Sequence, residues 1–271
     1  MGAAVSAEGF GLDGPRGPVF QGITFDAEPN ALIAVEGPSG SGRTCLLLAL
    51  TGRMKAGRGH ARVGRYRLPK QLAAVRGISA LGPVPGVTDL DPALTVTEHL
   101  RERVLLQRRF GGSLRALFRP RRERAAASRA RLEAALTAAG LDLDALPKGP
   151  RTHVRSLERP DALRLSLALA LLGEPRLLAV DDTDLKLSEE ERGQVWATLR
   201  AVAESGTTVL AVCSQAPEGA VVVRTDAARD DKAATGEDHD SDSDDGEGRR
   251  AKTNTKQKGE AADALAEASR A

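Results

Sequence analysis

The stretch A-L-I-A-V-E-G-P-S-G-S-G-R-T-C-L-L-L-A-L, from Ala31 to Leu50, decides the fold. Its opening, Ala31 to Val35, is an apolar run of the length of a buried strand. Glu36 to Gly42 is a glycine-rich turn, and from Arg43 the residues favour a helix. Strand, glycine-rich turn and helix in that order are what a phosphate-binding loop requires, and Gly37 and Gly42 stand at its spacing. Glycine lets the backbone curl until several N–H groups point inward, and the helix N-terminus adds positive potential. Gly37, Pro38, Ser39, Gly40, Ser41, Gly42, Arg43, Thr44 and Cys45 are therefore the candidate nucleotide-binding residues. Thr44 stands where a hydroxyl ligates Mg²⁺, and Arg43 where the motif has lysine. A glycine-rich turn with no ligand has the same composition, so the rest of the chain must decide.

With 271 residues, 41% of them hydrophobic, the chain can bury a sizeable core, as one large domain or two small ones. Aromatic residues are only 3%, so that core is built from Leu, Val and Ala. The net charge of +2 hides two opposed blocks. Arg101 to Arg131 holds eleven Arg against two Glu, and Asp226 to Glu247 holds ten acids against two basic residues. An exposed basic face and an acidic tail follow. Two cysteines, Cys45 and Cys213, argue against a disulfide framework and fit a reducing compartment. Met1 to Gly9 has neither the basic start nor the apolar core of a signal peptide. No apolar run approaches the ~20 residues that span a bilayer. The expectation is a cytoplasmic protein whose membrane role, if any, runs through a partner.

Residues 1–18 read as irregular, and Val19 to Phe25 alternates as a half-buried strand does. Beyond the loop, Ala61 to Val63 and Ile78 to Leu81 read as short strands, with a weak helix or loop between. Gly82 to Pro92 is an extended loop. Thr95-Val96-Thr97-Glu98 predicts a capping box opening a helix at Thr95 or Thr97. Helical residues continue to about Arg109, resume over Ser113 to Phe118, and run again from Arg121 to Ala139. Pro160 opens a further helix. Arg176 to Val180 is a buried strand ending in Asp181-Asp182, Ser188 to Ala203 an amphipathic helix, and Thr207 to Val212 and Ala220 to Val223 are strands. From residue 225 the chain loses apolar content and reads as disordered. The sum is an α/β fold with a mostly parallel sheet of the P-loop NTPase kind, antiparallel N-terminal strands and a helical insertion.

Phosphate-loop ATPases need a second strand whose terminal acid holds Mg²⁺ through water, and a further acid to polarise the attacking water. Leu177 to Asp182, L-L-A-V-D-D, fits, with Asp181 as the metal residue and Asp182 as the candidate catalytic acid. In this order the parts resemble the ATP-binding cassette (ABC) family, the nucleotide-binding subunits of ABC transporters, over Val19 to Val223. G-P-S-G-S-G-R-T resembles that family's Walker A motif. Leu90 to Leu100 resembles the opening of its helical subdomain, and Leu163 to Asp182 its post-signature helix and Walker B.

The resemblance implies ATP and Mg²⁺ as ligands, and a cassette over 1–224 with a helical subdomain at about 95–160 and a tail at 225–271. It also implies a separate transmembrane permease subunit and a second cassette, identical or not, as partners. The departures are specific. Leu157-Glu158-Arg159-Pro160-Asp161 falls on the family's L-S-G-G-Q, putting two acids at a helix N-terminus where only Arg159 is at hand to offset one. Asp182 falls on the catalytic Glu, Ser214 on the switch His, and Leu187-Ser188 on the Leu-Asp after Walker B. The loop glutamine is replaced at or near Gly86, with Thr88 and Asp89 the nearest polar residues. An ATPase of low activity is expected: Asp is one methylene short, guanidinium is planar where ammonium is compact, and serine carries no charge. The alternative is a cassette-like nucleotide-binding regulatory or interaction protein with no transport role. The basic block fits a membrane partner better than nucleic acid, because Phe110 and Phe118 are its only aromatics for stacking. His60, His99 and His153 have no metal-ligand spacing.

Overall fold

The computed structural model describes residues 1–110, 120–184 and 187–225. The chain divides into one compact unit, Met1–Thr235, and a second, Gly236–Ala271, which lies outside the described residues. The helix expected over Ser113 to Phe118 and the acidic tail also lie outside them.

Five strands form a parallel sheet: β3 (Leu32–Glu36), β6 (Ser79–Leu81), β7 (Leu177–Val180), β8 (Thr208–Val212) and β9 (Val221–Arg224), in the order β6-β7-β8-β3-β9. Both faces of such a sheet are covered, so its strands read as unbroken apolar runs. Alternate residues of β3 serve two different cores. Ile33 and Val35 pack with Leu46, Leu47 and Leu50 of α1 (Arg43–Leu50). Leu32 and Ala34 pack toward Leu167 of α5 (Arg159–Leu171) and Trp196 and Leu199 of α6 (Glu189–Glu204).

A second, antiparallel sheet has the order β2-β1-β4-β5, built from β1 (Val5–Gly14), β2 (Gly17–Ala27), β4 (Arg58–Val63) and β5 (Tyr66–Leu68). This corrects the expectation of an irregular start. Bulges interrupt β1 between Ala7 and Phe10 and again between Phe10 and Leu12, which breaks the alternation that sequence patterning relies on. Val5, Phe10, Phe20 and Ile23 carry its inner face into the same core as α1. Between β5 and β6, the stretch Leu68 to Val75 that reads as a weak helix or loop contains the start of α2 (Leu72–Ile78), which runs on to Ile78.

The insertion comprises α3 (Val96–Phe110) and α4 (Arg121–Ala139), with two 3₁₀ turns, Gly149–Arg151 and Val154–Ser156, leading into α5. Its start is settled at Thr95, whose amide and hydroxyl both donate to Glu98 Oε2 at 2.7 Å, while Glu98 N–H returns to Thr95 Oγ1 at 3.3 Å. Val96, Leu100, Ala135 and Leu141 close a small core over Leu165 and Leu172. The amphipathic helix expected from Ser188 is α6, opened by a complete capping box between Ser188 and Glu191.

The amino end is tied to the parallel sheet through the buried Thr208. Its hydroxyl donates to Ala3 O at 2.7 Å and accepts Asn30 N–H at 2.9 Å. Thr208→Val keeps the shape and removes both partners. It should lower unfolding stability by about 2 kcal/mol in urea titration, because two backbone groups are left unpaired. A loss below about 0.5 kcal/mol would show that water replaces the hydroxyl.

Candidate functional site

The parallel register brings the C-terminal ends of β3, β7 and β8 level, with Val35 beside Val212 and Val180 beside Ala211. Each of these ends delivers part of the site. From β3 the chain enters residues 37–42 and turns directly into α1. Gly42 sits at φ 85°, and a Cβ there would strike the Val19 carbonyl oxygen of β2, so no other residue fits. Gly40, at φ 81°, has open space around it and needs glycine for conformation alone.

No side chain caps α1, and no acid lies in its first turn. The Leu46 amide takes the Gly42 carbonyl at 2.8 Å, so the amides of Arg43, Thr44 and Cys45 have no acceptor inside the helix. The loop is fastened from below: Thr225, just after β9, donates its hydroxyl to Glu36 O at 3.1 Å and lies 2.5 Å from Ser41 Oγ.

From β7, Asp181 accepts the Thr44 hydroxyl on Oδ2 at 2.7 Å. A hydroxyl and a carboxylate this close would serve one Mg²⁺, Thr44 as a ligand and Asp181 through a bound water. The donor set and the uncapped helix start therefore fit a nucleotide phosphate with its cation. Asp182 stands beside this pair at φ 48°, its amide bonded to Asp181 Oδ1 at 3.0 Å.

The residues that depart from the family pattern are engaged elsewhere, in ways the sequence carried no signal for. Arg43 donates from its guanidinium to Cys213 O at 2.7 Å, at the end of β8. Ser214 gives both its amide, at 2.7 Å, and its hydroxyl, at 2.5 Å, to Asp184 Oδ2. Thr88 is consumed by its own loop: its hydroxyl donates to Gly82 O at 2.6 Å and accepts Val84 N–H at 2.9 Å, while Asp89 accepts Gly86 N–H.

At the start of α5, Glu158 is the N-cap residue but makes no cap with its side chain. Asp161 is paired at 3.0 Å with Arg164, which also reaches Gln194. The partner of Asp161 is thus Arg164 and not Arg159, on which the sequence expectation rests. Burial, with Asp184 and Glu36 nearby, pushes the Cys213 thiol up to about 12, and burial followed by Asp181 raises that of Cys45.

A cleft of about 640 Å³ lies between β6, the 82–94 loop, α3 and α5, and residues 37–45 do not line it. Arg53, Arg103, Val87 and Leu106 are among its lining residues. Val87 and Leu106 are 51% and 42% exposed, an apolar rim that the sequence did not single out.

Burial raises the Asp181 carboxyl above its ordinary range; the Thr44 hydrogen bond opposes this and the Asp182 charge adds to it. A raised folded-state pKa means that folding favours the protonated acid, so its contribution to stability falls as pH rises through the interval above the unfolded value. Asp181→Asn should therefore be more stable than the parent at pH 7 without nucleotide. The gain should shrink as pH falls toward about 3.9, the ordinary carboxylate value. Urea titrations at both ends check this, and an unchanged difference would refute it.

Residues 20–184 match the model of the ABC transporter family. A curated relative, the Nod factor export ATP-binding protein I of Paraburkholderia xenovorans (strain LB400), is 30% identical over 192 residues, covering 71% of this chain and 56% of that protein. The chain thus spans about half the length of the curated relatives it matches. Among solved structures, a dimeric ATP-binding cassette in a post-hydrolysis state bound to ADP and phosphate superposes with a TM-score of 0.59 at 19% identity, covering 78% of this chain and 88% of that one. The CbiO1 protein of Clostridium perfringens, part of an ABC transporter complex, gives a TM-score of 0.60 at 17% identity, covering 79% and 80%. These structures share the fold, that of the P-loop cassette. With the family model covering more than half its length, this chain belongs to the ABC transporter family.

Proposed function

We propose that this chain is the ATP-binding subunit of a transporter, holding ATP·Mg²⁺ on residues 37–45 with Asp181 and passing the effect of binding to a separate transmembrane subunit. The observation that carries the reading is the Thr44–Asp181 hydrogen bond of 2.7 Å beneath an uncapped helix start, inside the matched stretch. In this proposal the cassette is residues 1–224, with a helical subdomain at 95–160 and a charged tail at 225–271. A second cassette, identical or different, completes the assembly at the cytoplasmic face of the membrane.

The cleft between the parallel sheet and the helical block supports the docking half of the proposal. Its rim keeps Val87 and Leu106 exposed, and Leu105 beside them is 61% exposed. Apolar side chains grouped this way mark a surface that meets another protein. No helix among the described residues is long and apolar enough to cross a membrane, so a membrane-spanning part would come from that partner.

Hydrolysis is slow in this reading. When bound, Mg²⁺ neutralises phosphate charge, and the protein's part is to align water and stabilise the transferring group. Asp182 has the shorter side chain, Arg43 is held on Cys213 O, and Ser214 is held by Asp184. A misplacement of about 1 Å costs on the order of 10²-fold, so against a common enzymatic rate of about 10 per second, turnover should stay below about 0.1 per second. Phosphate release from purified protein with ATP and Mg²⁺ measures it, and several turnovers per second would refute the slow-site reading.

Those same engagements favour a second reading, a cassette-like regulator or interaction protein with no permease. A transporter subunit should pellet with membranes and be released by detergent, whereas a regulator should remain in the supernatant.

A further inference from the structure

We infer that the loop gains no affinity from a third phosphate, and holds a nucleoside diphosphate with Mg²⁺ as firmly as the triphosphate. The inference rests on the proposal that residues 37–45 bind nucleotide. A phosphate loop cradles the inner phosphates with backbone amides and places one hydroxyl on the cation, while the cationic side chain before that hydroxyl reaches the outer ones. The first two provisions are intact here: the amides of Arg43, Thr44 and Cys45 have no acceptor within α1, and Thr44 Oγ1 lies 2.7 Å from Asp181. They serve a diphosphate fully.

The provision for the outer phosphate is different. Arg43 commits a guanidinium N–H to the Cys213 carbonyl at 2.7 Å, which anchors the group at the end of β8, and its charge in the site acts on Asp181. The neighbouring position on that side is Ser214, neutral and bonded twice to Asp184. Asp182 and Asp184 follow Asp181 on the same segment, and none of the three enters an ion pair among the described residues. An added terminal phosphate brings more negative charge toward these carboxylates, and like charges in a partly buried setting oppose one another. Attraction to the cation is offset, and the third phosphate contributes little.

The test is calorimetric titration of the full chain, in Mg²⁺, with ADP and with the β,γ-imido analogue of ATP. The expected dissociation constants agree within about threefold, the size of one weak neutral contact. A triphosphate bound more than about tenfold tighter, as one charge-assisted hydrogen bond would provide, overturns the inference. If both titrations are flat, the nucleotide-binding proposal falls and takes this inference with it, an outcome distinct from unequal binding. Arg43→Lys supplies a compact charge too short to share the Cys213 carbonyl in the same way. It should strengthen triphosphate binding by about tenfold and change ADP binding by less than threefold. A variant with a normal melting curve and an unchanged ratio removes Arg43 from the explanation and overturns the inference as stated.

Discussion

The site depends on the parallel register of β3, β7 and β8. A parallel sheet aligns strand ends without a hairpin to join them, so residues far apart in sequence reach one edge. Val35 beside Val212, with Val180 one residue back beside Ala211, brings Glu36, Asp181 and Cys213 to one edge of the sheet. A shift of one residue in β7 would exchange the faces of Leu177 and Leu178, which belong to different cores, as well as withdraw the carboxylate from Thr44. The hydrophobic alternation that stabilises the sheet is thus also what holds the polar geometry at its end.

That edge combines retained and redirected parts. Thr44 and Asp181 meet in a hydrogen bond of 2.7 Å, and α1 begins without a cap. Arg43 and Ser214 fall on positions that the resembled family uses toward nucleotide, Thr88 is a polar residue near a third, and each is satisfied by the protein itself. These are hydrogen bonds with good distances, so the substituted residues have acquired structural partners. Releasing them toward a ligand would cost the contacts they now make.

Much of this was legible in the sequence, for identifiable reasons. Strands β3, β7 and β8 are short, unbroken apolar runs because both their faces are buried. Thr95 and Ser188 announce their helices through the Glu three residues on. Strand β1 was missed because its bulges break the alternation and because Gly9, Gly11 and Gly14 read as turn residues. The Arg43–Cys213 and Ser214–Asp184 bonds were out of reach for another reason. They join segments whose proximity is fixed by strand order, and no local pattern encodes which carbonyl a long side chain will find. The cleft escaped for the same reason, since its rim is drawn from separate elements.

Strand order also has a consequence in time. Both neighbours of β3 come from the far end of the domain: Leu32 pairs with Val209 and Ile33 with Val221. As the chain leaves the ribosome, the strand that carries the phosphate loop is made early and remains without sheet partners until β8 and β9 emerge. Contacts of such separation form late and slowly. The apolar run Leu32 to Val35 is then an exposed, unpaired strand for most of synthesis, and shielding it during that interval falls to the antiparallel sheet, whose β1, β2 and β4 are complete soon afterwards and share a core with Ile33 and Val35.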